Sequence, residues 1–170
     1  MSSAALEIFD EDVSNPLDSV EDILSHNDWV FDRPHLDELS VQITGSGGAY
    51  RMTFLWQEEF SALQFYCEYD SAIPRGNMPL AAKMLKTIND TLWLGHFAIP
   101  EDTRIPCFRH TSLFRGWTHT SGTEHVEDLM EIAVAECDRY GGVFSLLSHA
   151  GTVLDEPTMA LAARDSVGEA

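Results

Sequence analysis

The chain holds 170 residues with a net charge of −18, from ten Lys and Arg against twenty-eight Asp and Glu. That is one domain by size, able to bury about 70% of the surface its unfolded form exposes without disulfides or metals. So acidic a surface repels a phosphate backbone, which argues against nucleic-acid binding, and no run of 18 apolar residues offers a membrane span.

Charge is unevenly spread. Residues 1–38 hold eleven acids and one base, residues 39–121 seven of each, and residues 122–170 ten acids and two bases. The plain reading of the acidic flanks is solubility; the sharper ones are a docking face for a basic partner or a mimic of nucleic acid. Cys67, Cys107 and Cys137 lie far apart in apolar-periodic segments, so buried, reduced thiols and a cytoplasmic location are expected. The opening Met-Ser-Ser-Ala-Ala-Leu-Glu has no basic region or apolar run, so no signal peptide is expected.

Residues 1–14 read as a mobile acidic arm with Leu6, Ile8 and Phe9 as its few packing groups; the alternative is a short apolar motif that docks on a neighbour. Asn15-Pro16 starts a helix, asparagine as cap and proline in the first turn. Leu17, Val20, Ile23 and Leu24 form its apolar stripe, and it ends near His26-Asn27. Four strands follow: Trp29–Phe31, stopping at Pro34, then Glu38–Thr44, Tyr50–Trp56 and Leu63–Tyr69. Their period-two alternation predicts an antiparallel meander with one wet face. Gly45-Ser46-Gly47-Gly48 is glycine-rich like a phosphate loop, but a strand follows where a helix N-terminus is needed, so a hairpin turn is the reading.

Asn77 is placed as the cap of a second helix with Ala81, Met84, Leu85, Ile88 and Leu92 inward, and Gly95 as its close. His96–Ile99 and Ile105–Leu113 are two more strands. Ser121 and Glu124 fit a capping box, opening a helix that buries Val126, Leu129, Met130, Ala133, Cys137 and Tyr140 and ends at Gly141-Gly142. A further helix is expected over Val143–Val153, then a frayed alanine-rich helix and acidic tail. The fold class is α+β: one antiparallel sheet with helices packed on it, in the order α-β-β-β-β-α-β-β-α-α. The domain is placed at residues 15–153, with 154–170 as tail.

No catalytic or metal constellation emerges. Cys107 and His110 are three apart on a strand and point to opposite faces. Ser148 and His149 are neighbours and diverge. Cys67 and Cys107, flanked by Tyr66 and Phe108, read as core filling, and the carboxylate pairs sit at turns. Trp29, Trp56, Trp93 and Trp117 are read as mostly core, with some free to form a patch for a partner. No cofactor and no metal are expected.

At Asn89-x-x-Leu92-Trp93-Leu94-Gly95-His96-Phe97, and again at Phe108-Arg109-His110, the chain resembles the YbjN family. Ala5–Asp12 and Asn27-Asp28-Trp29 resemble its alphaproteobacterial branch, and the likeness runs from about residue 5 to residue 150. The resemblance implies a fold like that of type III secretion chaperones, a homodimer, and a role in bacterial sensory or stress regulation. It brings no catalytic residues, so Trp93, Gly95, His96, Phe97, Phe108, Arg109 and His110 stand as a motif without a role. The function expected is a non-enzymatic module that binds another protein by an apolar segment laid on a sheet face or edge. The alternative is a small-molecule sensor or enzyme with a pocket between helix and sheet that gathers His96, Arg109 and His110. In the plain reading, the two histidines pack and Arg109 pairs with an acid of the opposing layer.

Overall fold

The computed structural model describes residues 15–117, 119–149 and 154–168. The expected N-terminal arm lies outside them. Helix α1 (Pro16–His26) is followed by strands β1 (Phe31–His35), β2 (Glu38–Gly45), β3 (Gly48–Gln57) and β4 (Ala62–Glu68). Next come helix α2 (Met78–Asn89), strands β5 (His96–Ala98) and β6 (Cys107–Leu113), and helices α3 (His119–Ser148) and α4 (Glu156–Gly168). This is the α+β architecture and element order that the sequence predicts. All six strands form one antiparallel sheet, ordered β1-β2-β3-β4-β6-β5.

Alternation decides which side chains are buried. Leu39, Val41, Ile43, Tyr50, Met52, Phe54, Trp56, Leu63, Phe65, Cys67, Phe97 and Phe108 all point to the helical layer. There α3 crosses β2, β3, β4 and β6, and α1 packs beside it with Leu17, Val20, Ile23 and Leu24 inward. Asn15 caps α1 as predicted: its side-chain oxygen accepts from the Leu17 amide at 3.0 Å, and its Nδ2 donates to the Leu36 carbonyl. Arg33 then ties β1 to α1 by ion pairs with Asp18 and Glu21.

Several boundaries differ from expectation. β1 begins where Trp29–Phe31 was expected to end, and it includes Pro34. Being the outermost strand, it tolerates a residue with no amide hydrogen, and its register slips between Asp32 and His35. Asn77 does not cap α2; its Nδ2 donates to the Leu147 carbonyl at the far end of α3. α2 stops at Asn89, six residues before Gly95, and Gly95 serves the approach to β5. α3 opens at His119, ahead of Ser121. It also runs through Gly141-Gly142 to Ser148, replacing the two helices expected there. Two glycines cost roughly 1 kcal/mol each in a helix, but Tyr140, Val143, Phe144 and Leu147 are all buried on its inner face and outweigh that. The alanine-rich segment forms α4, which packs on α2 and α3 and buries Met159 and Ala163.

Candidate functional site

The Asn89–Phe97 motif is first of all a plug for the sheet edge. Asn89 Nδ2 donates to the Phe97 carbonyl at 3.0 Å, and the Phe97 amide donates to Asn89 Oδ1 at 2.8 Å. β5 is the terminal strand, so Phe97 would otherwise offer both groups to solvent; the asparagine carboxamide stands in for a missing neighbour strand. Gly95 has φ +67°, and a Cβ there would lie 2.4 Å from Phe108 Cζ and 2.9 Å from the Arg109 oxygen. Phe97 sits between Phe108 at 5.6 Å, Tyr140 at 5.9 Å and Phe144 at 5.2 Å, ring centroid to centroid. Gly95, Phe97 and Phe108 are thus held by packing.

The other motif residues do not converge. His96 is exposed and faces Arg109 in register on the side of the sheet away from the helices. Arg109 lies over the Tyr66 ring at 4.9 Å, and among the described residues no acid of an opposing layer pairs with it. His110 points the other way, under α3, with its ring 6.5 Å from that of His125. Trp93 is 75% exposed. The cavity expected to gather His96, Arg109 and His110 is therefore not formed, because successive strand residues alternate faces. Cys107 and His110 diverge as predicted. Burial drives the Cys107 thiol up to about 11, with Arg109 pulling the other way and Glu68 adding to the rise.

The face that none of the described helices covers extends across all six strands, with Ser40, Ala62 and Cys107 on it nonetheless buried. A single row in register, Asp32–Ser40–Thr53–Tyr66–Arg109–His96, crosses all six strands. Beside it run Gln42–Arg51–Glu68 and Glu38–Leu55–Gln64–Thr111. Tyr66 is the one aromatic among them, so the aromatic-rich surface expected for a partner is in fact packed beneath the helices. Of the four tryptophans only Trp56 is buried; Trp29 and Trp117 are each more than a third exposed.

Residues 16–145 match a family model described as "Putative bacterial sensory transduction regulator", the YbjN family. The chain belongs to the YbjN family. A solved structure titled "Crystal structure of YbjN, a putative transcription regulator from E. coli" superposes with a TM-score of 0.51 at 15% identity. The alignment covers 73% of this chain and 90% of that one, a likeness of fold. No curated protein matches the chain significantly. Among the described residues, no helix is long and apolar enough to cross a membrane. The YbjN match ends inside α3, so α4 lies beyond it.

Two polar constellations in this YbjN chain escape sequence reading. Asp138 of α3 accepts from the Ser46 amide, Ser46 Oγ, the Gly47 amide and, at 2.5 Å, the Tyr50 hydroxyl. The glycine-rich turn therefore does cradle an anion, one supplied by the chain itself. Cβ atoms on Gly45 or Gly47 would run into Asp138 and Tyr50. Burial raises the Asp138 carboxyl, but its four donors outweigh that and hold it below the ordinary range. Ser112 Oγ lies 2.7 Å from His125 Nε2, with Trp117 edge-on to the same ring at 4.6 Å. Burial lowers both histidines, and the neighbouring His125 and His96 depress His110 further. A run of three glycines around Ser46 is a signal for a close approach; nothing local marks Ser112 and His125, thirteen residues apart on different elements.

Proposed function

We propose that this chain is a non-enzymatic regulator of the sensory-transduction kind its family describes, working by binding another protein on the uncovered sheet face. The observation that carries this is the six-strand polar row with Tyr66 and Arg109 at its centre. A tyrosine stacked under an arginine is the type of anchor on which protein interfaces concentrate their energy. The face carries Arg51 and Arg109 against Asp32, Glu38 and Glu68, while most acids lie elsewhere in a chain of net charge −18. A protein partner can settle there without meeting the repulsion that a nucleic acid would. The partner's contribution is hydrogen-bonding side chains, in place of the apolar segment the sequence suggested. The proposal includes a cytoplasmic location, a folded unit beginning at residue 15, and a homodimer.

Affinity capture from the native host with the full chain and with a Tyr66→Ala/Arg109→Ala variant tests it. Specific proteins retained by the former and lost by the latter are expected, with thermal stability of the two chains alike. Identical retention by both, or binding to duplex DNA at low salt, sinks the reading. Light scattering should give twice the 19.0 kDa chain mass.

A further inference from the structure

The sheet face opposite the helices is complementary to itself. In the row Asp32–Ser40–Thr53–Tyr66–Arg109–His96 the midpoint falls between β3 and β4. The first half starts with an acid and continues with two small hydroxyl residues. The second holds the two bulkiest side chains, Tyr66 and Arg109, and ends in a histidine. Asp32 and His96 are exposed, Thr53, Tyr66 and Arg109 are half-buried, and Ser40 is recessed.

A two-fold axis along the strands, between β3 and β4, lays this row on a second copy of itself in reverse. Asp32 then meets His96 of the second copy, Ser40 meets Arg109, and Thr53 meets Tyr66. Long side chains of each half stand over short ones of the other. The flanking rows obey the same operation: Arg51 falls on Glu68, Glu38 on Thr111 and Leu55 on Gln64. No two like charges meet. An axis across the strands, along the same row, would instead set Asp32 on Asp32 and Arg109 on Arg109. Charge therefore selects the first arrangement.

Size agrees with it. Six strands are roughly 24 Å across, and a seven-residue strand such as β6 is about as long. Two such faces together bury on the order of 1,200 Å², the lower bound for a specific interface. Repulsion between copies of net charge −18 keeps such a pair reversible.

We propose that a second copy of this chain occupies the face through the strand-aligned two-fold, closing Tyr66 and Arg109 to other proteins. This rests on the reading of that face as the binding surface and adds its regulation. The second copy and the outside partner compete for one site, and self-pairing holds the regulator in a closed store.

Sedimentation equilibrium on the full chain, on Asp32→Arg, on His96→Glu and on a mixture of the two variants tests this. In one chain the two positions lie on opposite edges of the sheet, roughly 24 Å apart, so they can influence each other only between copies. His96→Glu sets an acid against Asp32 at both symmetric contacts and should weaken the dimer about tenfold. Mixing the variants sets Asp32→Arg against His96→Glu at one contact and restores Asp32 with His96 at the other. The mixed pair should be about tenfold tighter than His96→Glu with itself, and tighter than Asp32→Arg with itself. Both positions are exposed, so the variants keep the fold, which thermal melting checks. An unaltered chain that stays monomeric overturns the proposal, and so does a mixture no tighter than the variants alone, which places the dimer on another surface. Partner capture depends on Tyr66 and Arg109 and not on Asp32 or His96, so failure here leaves the reading of the face standing.

Discussion

Gly95 and Asp138 show how single residues hold distant parts of this chain together. Gly95 combines a positive φ with a backbone that touches Phe108, so an alanine there is strained twice over. Gly95→Ala should cost about 2–4 kcal/mol in urea unfolding; a loss below about 0.5 kcal/mol would show that the approach to β5 yields freely. Asp138 accepts four hydrogen bonds, and Asp138→Ala, which leaves the exposed Ser46 and Gly47 donors to water and takes the partner from the part-buried Tyr50 hydroxyl, should cost about 0.5–1.5 kcal/mol. Its depressed carboxyl makes a contribution that is full above the ordinary carboxylate pKa and is lost as pH falls through the folded value. His110 and His125 act earlier. Burial lowers both in the folded state, so the unfolded chain takes up protons first as pH drops below about 6.5, and stability declines from there. Replacing both by Gln should flatten the pH 5–6.5 limb of a thermal-melting profile; an unchanged limb would assign that slope to other groups.

Among the elements, α3 is the one whose local sequence and tertiary role disagree most. Gly141 and Gly142 have open space where a Cβ would go, so the helix gains nothing from their smallness. Gly141→Ala and Gly142→Ala should each stabilise by about 0.5–1 kcal/mol. A loss of stability instead would mean that the helix breaks there, as the sequence alone predicts. The strands were more legible than the helix ends. β2, β3 and β4 lie within two residues of their expected bounds, because alternation is a property of consecutive residues. The ends of α2 and α3 depend on packing partners, and Asn77 illustrates this: a cap by composition, it serves the carbonyls of another helix. At the candidate site, Gly95, Phe97 and Phe108 were legible as a motif. That His96 and Arg109 share a face while His110 does not follows from strand parity alone.

For the whole molecule, the dominant fact is a net charge of −18 around a sheet whose uncovered face is near neutral. Self-repulsion of this size destabilises the compact state, and added salt screens it. Raising ionic strength from about 0.01 M to about 0.15 M shortens the Debye length from roughly 30 to 8 Å. The melting temperature should climb over that range; a fall would mean that the Arg33 ion pairs with Asp18 and Glu21 outweigh the net repulsion.

The amino-acid sequence by itself determined the α+β class, the order of elements, the apolar face of each strand and the family, because these depend on residues close together in the chain. The tertiary structure alone decided which face of the sheet the described helices cover, and that α3 continues through two glycines. It also decided that Asp138 reaches the Ser46 turn, ninety-two residues away. Such features arise from pairs of groups far apart in sequence, whose meeting leaves no local pattern, and they are settled only when the helical layer closes over the sheet.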